Sequence, residues 1–213
     1  MPVDVKICGL MTAPAVDWAV EAGAALVGFV FFPPSPRSLA PEAAAPLIAA
    51  VPPPVTPTAL VVDADDAWLD AVVAVARPRM LQLHGKETPE RVAQVKARYG
   101  LPVMKAWAVA EPADVQAARA YEGVADRLLF DAKPPKGATR PGGNALAFDW
   151  ALLAGTSWAV PWMLAGGLEP GNVAQAVAVS GARAVDVSSG VEDAPGVKNL
   201  EKIRAFLAAV KGL

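Results

Sequence analysis

The chain carries one cysteine, Cys8, and one histidine, His84. A single cysteine excludes an internal disulfide and points to a reducing compartment. One histidine and one cysteine cannot supply the usual ligand set of zinc or another first-row metal, so no metal is expected. No block of like charge occurs and the net charge is −2. A nucleic-acid binder would show a basic patch, so that partner class is excluded. Long apolar runs are also missing. The densest, Ala24 to Phe32, is interrupted by Gly28 and closed by Pro33-Pro34, and is too short to cross a bilayer. The opening MPVDVKICGL lacks the apolar stretch of a signal peptide. A soluble cytoplasmic protein with no membrane partner is expected.

What is plentiful is core material. Hydrophobic residues make up 54% of 213 residues and charged residues 19%. That balance excludes disorder and can fill a sizeable core. No shift in composition marks an internal boundary, so one domain is expected over residues 1–213. Short apolar runs alternate with alanine-rich segments. The runs predict strands at Val3–Ile7, Leu26–Phe31, Thr58–Val62, Met80–Leu83, Val103–Ala106, Arg127–Phe130, Pro161–Leu164 and Ala184–Val187. Their near-continuous apolar character suits parallel strands buried on both faces. The segments between predict helices at about Ala13–Ala22, Pro41–Ala50, Asp65–Ala76, Pro89–Tyr99, Pro112–Tyr121, Phe148–Leu153, Pro170–Val179 and Leu200–Val210. Pro41, Pro89, Pro112 and Pro170 suit a first helical turn, where the missing N–H has no partner to lose. Thr88 is a candidate N-cap, and Gly23, Gly100 and Gly181 suit the left-handed position after a helix. Pro52–Pro57 reads as a stiff connection, and Lys133–Asn144 is the longest irregular stretch.

Eight strands alternating with eight helices allow a closed (β/α)8 TIM barrel or an open doubly wound sheet. The polar residues decide between them, because they cluster after strands rather than before them. Cys8-Gly9 follows the first strand, Ser35-Pro36-Arg37 the second, and Gln82, His84 and Gly85 end the fourth. Asp131 ends the sixth, Gly166-Gly167 the seventh, and Asp186 with Ser188-Ser189-Gly190 the eighth. In a barrel all these points share the C-terminal rim, where active sites are built. An open sheet would gather ligands only near a switch in strand order. Six contributing strands favour the barrel.

Each candidate has a plain reading beside its functional one. Gly166-Gly167 alone could be a turn. With Ser188, Ser189 and Gly190 one βα unit later, it matches the place where barrels hold phosphate, and Gly190–Asp193 could form the short extra helix. Cys8 is either a small buried hydrophobe or a catalytic thiol, with Lys6 nearby to make thiolate available at neutral pH. Asp131 is either a cap or ion pair with Lys133, or a carboxylate facing a cavity. Asp186 lies between valines and is expected to point into the barrel mouth. Arg37 is either a surface charge or a planar clamp for a carboxylate. His84 serves acid–base chemistry or orients a neighbour.

Taken together these blocks resemble the phosphoribosylanthranilate isomerase family. The matching stretches are Lys6-Ile7-Cys8-Gly9, Gly28 through Ser35-Pro36-Arg37, Gln82-Leu83-His84-Gly85, Asp131, Gly142-Gly143 with Phe148-Asp149-Trp150, Leu164 through Leu168, and Asp186 through Glu192. They run in one colinear order over essentially the whole chain. The resemblance implies a TIM barrel that needs no cofactor. It implies an Amadori rearrangement of N-(5-phosphoribosyl)anthranilate, an aminoaldose, to an aminoketose in tryptophan biosynthesis. Asp131 would be the general acid that opens the ribose ring, and Cys8 the base that removes the C2 proton. Arg37 would hold the anthranilate carboxylate, with Asp186 and His84 beside the substrate. Gly166, Gly167, Ser188, Ser189 and Gly190 would cradle the phosphate. The partner is then a small phosphorylated substrate, and the protein a monomer or homodimer. The family commonly carries another glycine two residues after Gly142-Gly143; this chain has Asn144-Ala145, and Ala145 would be strained at positive φ.

Two alternatives stand against this. The related histidine-pathway isomerase of a phosphoribosyl imidazole-carboxamide expects an aspartate base where this chain has Cys8. A non-catalytic phosphate-binding barrel would not need Cys8, Asp131, Arg37 and Asp186 together.

Overall fold

Strands rich in valine, leucine and alanine can bury both faces only if something covers each of them. In the computed structural model, which describes residues 3–133, 142 and 147–213, the covering is a barrel interior on one side and a ring of helices on the other. The barrel strands are β1 (Asp4–Cys8), β2 (Leu26–Val30), β3 (Thr56–Val61), β4 (Met80–Leu83), β5 (Val103–Val109), β6 (Arg127–Ala132), β7 (Trp162–Leu164) and β8 (Ala184–Val187). Each pairs in parallel with the next, and β8 closes on β1. The architecture is the (β/α)8 TIM barrel. The helices are α1 (Ala13–Ala22), α2 (Pro41–Ala49), α3 (Asp66–Ala71), α4 (Pro89–Tyr99), α5 (Pro112–Ala117), α6 (Val173–Ser180) and α7 (Leu200–Val210).

Side chains alternate across each strand, and the two sets differ in kind. Val5 and Ile7, Val27 and Phe29, Leu128 and Phe130, and Val185 and Val187 join one large core with the helices. The other set fills the barrel. Leu26, Met80, Met104, Leu129, Met163 and Ala184 form an apolar floor. Polar Lys6, Thr58 and Gln82 are buried in the same interior set, and Cys8 meets Val30 and Leu60 at the rim. An apolar floor beneath polar groups is what fixes a site at one end of the barrel. On α7 the buried residues Ile203, Phe206 and Val210 share one face, each contributing roughly 1.5–3 kcal/mol by leaving water.

The helix ends follow the expected chemistry in most places. Pro41, Pro89 and Pro112 open α2, α4 and α5, and the Thr88 hydroxyl accepts from the Arg91 N–H at 3.3 Å. Gly23, Gly100 and Gly181 adopt φ of 98°, 63° and 74° after their helices. Four expectations change. Pro170 does not open α6, which starts at Val173. The Asn172 side chain instead accepts from the Glu169 N–H and donates to the Gly167 carbonyl, tying the Pro170 segment into its own turn. The expected third helix passes into a π-helical turn at Val72–Ala76, closed by Arg77 at φ 54°. The segment Phe148–Leu153 is one 3-10 turn, Trp150–Leu153. The turn expected over Gly190–Asp193 spans Ser189–Val191, and Glu192 instead begins a small hairpin of β9 (Glu192–Ala194) and β10 (Val197–Lys198). Gly143, Asn144 and Ala145 lie outside the described residues. Among the described residues no helix is long and apolar enough to cross a membrane.

Candidate active site

A cavity opens at the C-terminal rim. Its lining brings together Cys8, Arg37, His84, Asp131, Asp186 and Ser188, six of the ten residues selected from sequence. Gly166, Gly167, Ser189 and Gly190 are not among the lining residues but sit in the adjoining loops after β7 and β8. Gly166 and Gly167 both have positive φ, 86° and 64°. A Cβ at Gly166 would lie 3.1 Å from Asp131 Oδ1, and one at Gly190 would overlap the Leu168 carbonyl. The two loops therefore interlock, and only glycine permits it.

Asp131 ends the apolar run of β6. Its Oδ1 accepts from the Ala132 N–H at 2.8 Å, and its Oδ2 lies 3.3 Å from His84 Nε2. Lys133, the other partner considered for it, reaches Asp114 instead. The Gln82 amide nitrogen lies 3.3 Å from His84 Nδ1. With that amide donating, the histidine proton sits on Nε2 and faces Asp131. The Gln82 Oε1 is buried without a partner among the described residues. Gly142 closes over this pair, since a Cβ there would lie 2.5 Å from Asp131 Oδ2 and 2.9 Å from the His84 ring.

Cys8 is buried at the end of β1. The expectation that its surroundings make thiolate freely available is not met. Burial pushes the thiol up and outweighs the nearby Lys6 ammonium, so the resting group stays protonated above the ordinary thiol range. Lys6 is fully buried and donates to Asp186 Oδ1 at 2.9 Å. Burial opposes its charge, but the Asp186 carboxylate holds it above the ordinary lysine range.

Arg37 is not a surface charge: it is 4% exposed. Nor is its whole fork free for a ligand, because Nε and Nη2 donate to the two Glu192 oxygens at 2.8 and 2.7 Å. Glu192 also accepts from Lys198 at 2.6 Å, and Lys198 donates to the Ser188 carbonyl at 3.0 Å. Burial works against the Glu192 charge, but Arg37 and Lys198 hold its carboxyl below the ordinary range. Burial lowers the Lys198 ammonium despite Glu192. The β9–β10 hairpin thus aims Arg37 and braces Ser188. Lys198 carries no local motif, although its partners Glu192 and Ser188 lie only six and ten residues before it.

A second buried pair supports the loop after β4. Lys105 on β5 reaches Glu87 at 2.8 Å and the Gly85 carbonyl at 2.7 Å, while Glu87 accepts from the N–H groups of Asp63 and Gly85. This fixes the stretch that follows His84. Among the described residues no three His, Cys, Asp or Glu side chains are grouped to hold a metal ion.

The comparisons agree with this architecture. The model of the N-(5′-phosphoribosyl)anthranilate (PRA) isomerase family matches residues 5–209. The isomerase of Paramagnetospirillum magneticum is 60% identical over 212 residues, covering 100% of this chain and 99% of its own. The crystal structure of the isomerase from Thermotoga maritima matches with a TM-score of 0.89 at 35% identity, covering 99% of this chain and 100% of that one. A structure of a phosphoribosylanthranilate isomerase in complex with reduced 1-(o-carboxyphenylamino)-1-deoxyribulose 5-phosphate matches with a TM-score of 0.86 at 34% identity, with the same coverage. The chain belongs to the N-(5′-phosphoribosyl)anthranilate isomerase family, and is an isomerase of tryptophan biosynthesis.

Proposed function

We propose that the rim cavity carries out the Amadori rearrangement with Asp131 as general acid and Cys8 as general base. The observation that carries this assignment is that both groups, from non-adjacent strands β6 and β1, line one cavity that also contains Arg37 and Asp186. Asp131 gives its proton to the ribose ring oxygen. The C1–O bond breaks, and the nitrogen lone pair forms the Schiff base. Cys8 in its thiolate form then takes the proton from C2, and the electron pair moves to give the enolamine. Tautomerisation of the enolamine gives the aminoketose. Each transfer needs a donor or acceptor within hydrogen-bond reach of the reacting atom, and a grip on both ends of the substrate supplies the orientation.

The grip divides between two anions. Arg37 spends Nε and one Nη2 proton on Glu192, which leaves its Nη1 edge for the anthranilate carboxylate. The interlocked glycine loops, with Ser188 at the cavity wall, are the natural seat for the phosphate. His84 orients Asp131, and Asp186 borders the ribose. The direct test is incubation of the purified protein with freshly prepared N-(5′-phosphoribosyl)anthranilate and identification of the product by NMR. The aminoketose 5-phosphate is expected. Unchanged substrate, beyond its spontaneous decay, would overturn the reading.

A further inference from the structure

Lys6 is a full positive charge in the middle of a barrel strand. Its side chain has no exposed surface. Its ion pair is set by register, since β1 and β8 place Lys6 directly beside Asp186. As a stabilising device a buried ion pair is weak, because desolvating both charges offsets most of their attraction. An apolar pair would join β1 to β8 equally well, so the charge calls for another explanation.

The surroundings supply one. An ammonium has three protons to donate. Asp186 takes one at 2.9 Å. Cys8 lies two residues further along β1, on the same face, close enough for the Lys6 charge to act on its sulfur. Opposite Cys8 in β2 stands Gly28. A Cβ at Gly28 would lie 2.8 Å from Cys8 Sγ and 3.1 Å from Lys6 Nζ. A side chain at that position would push between the two groups, and none is there. The charges acting on the sulfur are Lys6 from β1, Asp186 from β8 and Lys198 from β10. Arg37, His84 and Asp131 line the same cavity. Of the three acting charges Lys6 has the largest effect, and it opposes the burial that keeps the thiol protonated.

We propose that Lys6 is a positioning residue for proton abstraction: held by Asp186 in the space Gly28 leaves open, its ammonium orients the Cys8 sulfur and stabilises its anionic form. The proposal rests on the reading of Cys8 as the base. Lys6 transfers no proton. The C2 proton goes to sulfur, and the ammonium keeps all three of its own throughout.

Because the chain has one thiol, the sulfur can be titrated without reference to turnover. The rate of iodoacetamide alkylation is measured against pH for the wild type, Lys6→Met and Lys6→Arg, with folding checked by circular dichroism. Removing an opposite charge at this range moves a titration by about 1 pH unit or more, so the Lys6→Met midpoint is expected to rise by that amount. Its kcat should fall roughly 10-fold, one decade per pH unit, with KM little changed. Lys6→Arg should restore most of both. An unshifted alkylation midpoint in folded Lys6→Met would overturn the proposal. If Lys6→Met does not fold, Gly28→Ala serves, since it keeps both charges and separates them by a methyl group. Its midpoint should also rise, and an unmoved one overturns the proposal. Failure of the Cys8 reading is distinguishable, because it would appear as normal turnover in Cys8→Ser and leave the thiol titration as it is.

Discussion

Replacing Glu192 with glutamine would remove the single negative charge that two buried cations share. Glu192, Arg37 and Lys198 are 8%, 4% and 7% exposed, so water cannot make good the loss. The glutamine amide would also turn a donor toward Arg37 or Lys198, both of which only donate. Breaking a buried pair from one side costs about 3–5 kcal/mol. A chain of this length loses roughly 2–4 °C of Tm per kcal/mol, so Glu192→Gln should melt about 6–20 °C below wild type. Calorimetry at neutral pH measures this directly. The pH dependence adds a second check. The folded Glu192 carboxyl is held below its ordinary range, so its contribution is present above the unfolded glutamate value. That contribution is lost as pH falls through the depressed folded value. The gap between wild type and variant should therefore narrow in acid. Activity should suffer mainly through KM, because Arg37 loses its aim rather than its charge, and Arg37→Ala should raise KM further. A Glu192→Gln protein melting within about 2 °C of wild type would refute the reasoning.

The other predictions concern the reacting groups. Asp131→Asn keeps the shape of the carboxyl but cannot supply an acidic proton. Turnover should fall by roughly 10²-fold or more while product still binds; wild-type turnover in a steady-state assay would make Asp131 structural. The wild-type pH profile of kcat/KM should be bell-shaped. Burial keeps Cys8 protonated to higher pH, so the alkylation midpoint of the wild-type thiol should lie above the ordinary thiol value of about 8.5. A midpoint below that value would contradict the burial seen at β1.

Much of the barrel was legible because its strands are buried on both faces. Runs such as Leu26–Val30 and Ala184–Val187 are nearly all apolar, and such runs are found with little else. α1, α4 and α7 have clean proline, threonine, asparagine or glycine punctuation, and their bounds agree with the sequence to the residue. Pro170 misled because a proline suits a free turn as well as a first helical turn, and only the Asn172 contacts distinguish them. The candidate site was legible by position: polar residues at strand ends must share a rim once the barrel closes. What it could not reveal was pairing across the fold. Arg37 and Glu192 are 155 residues apart in sequence, and nothing local to either shows that the arginine fork is engaged. Lys105 and Lys198 read as ordinary lysines until burial places carboxylates beside them. Cys8 shows the same limit in its chemistry. Lys6 is visible two residues away, but the desolvation that outweighs it belongs to the folded barrel.

The central claim is that one thiol and one carboxyl in a single cavity perform the rearrangement, and Cys8→Ser tests it most directly. An alcohol is a far weaker base than a thiol in the same place, while its volume and hydrogen bonding leave the substrate grip intact. Turnover of freshly prepared N-(5′-phosphoribosyl)anthranilate by Cys8→Ser, compared with wild type at equal folded concentration, should fall by at least roughly 10²-fold with product affinity little changed. Near-wild-type turnover would contradict the account and send the search for the base to another group at the barrel mouth.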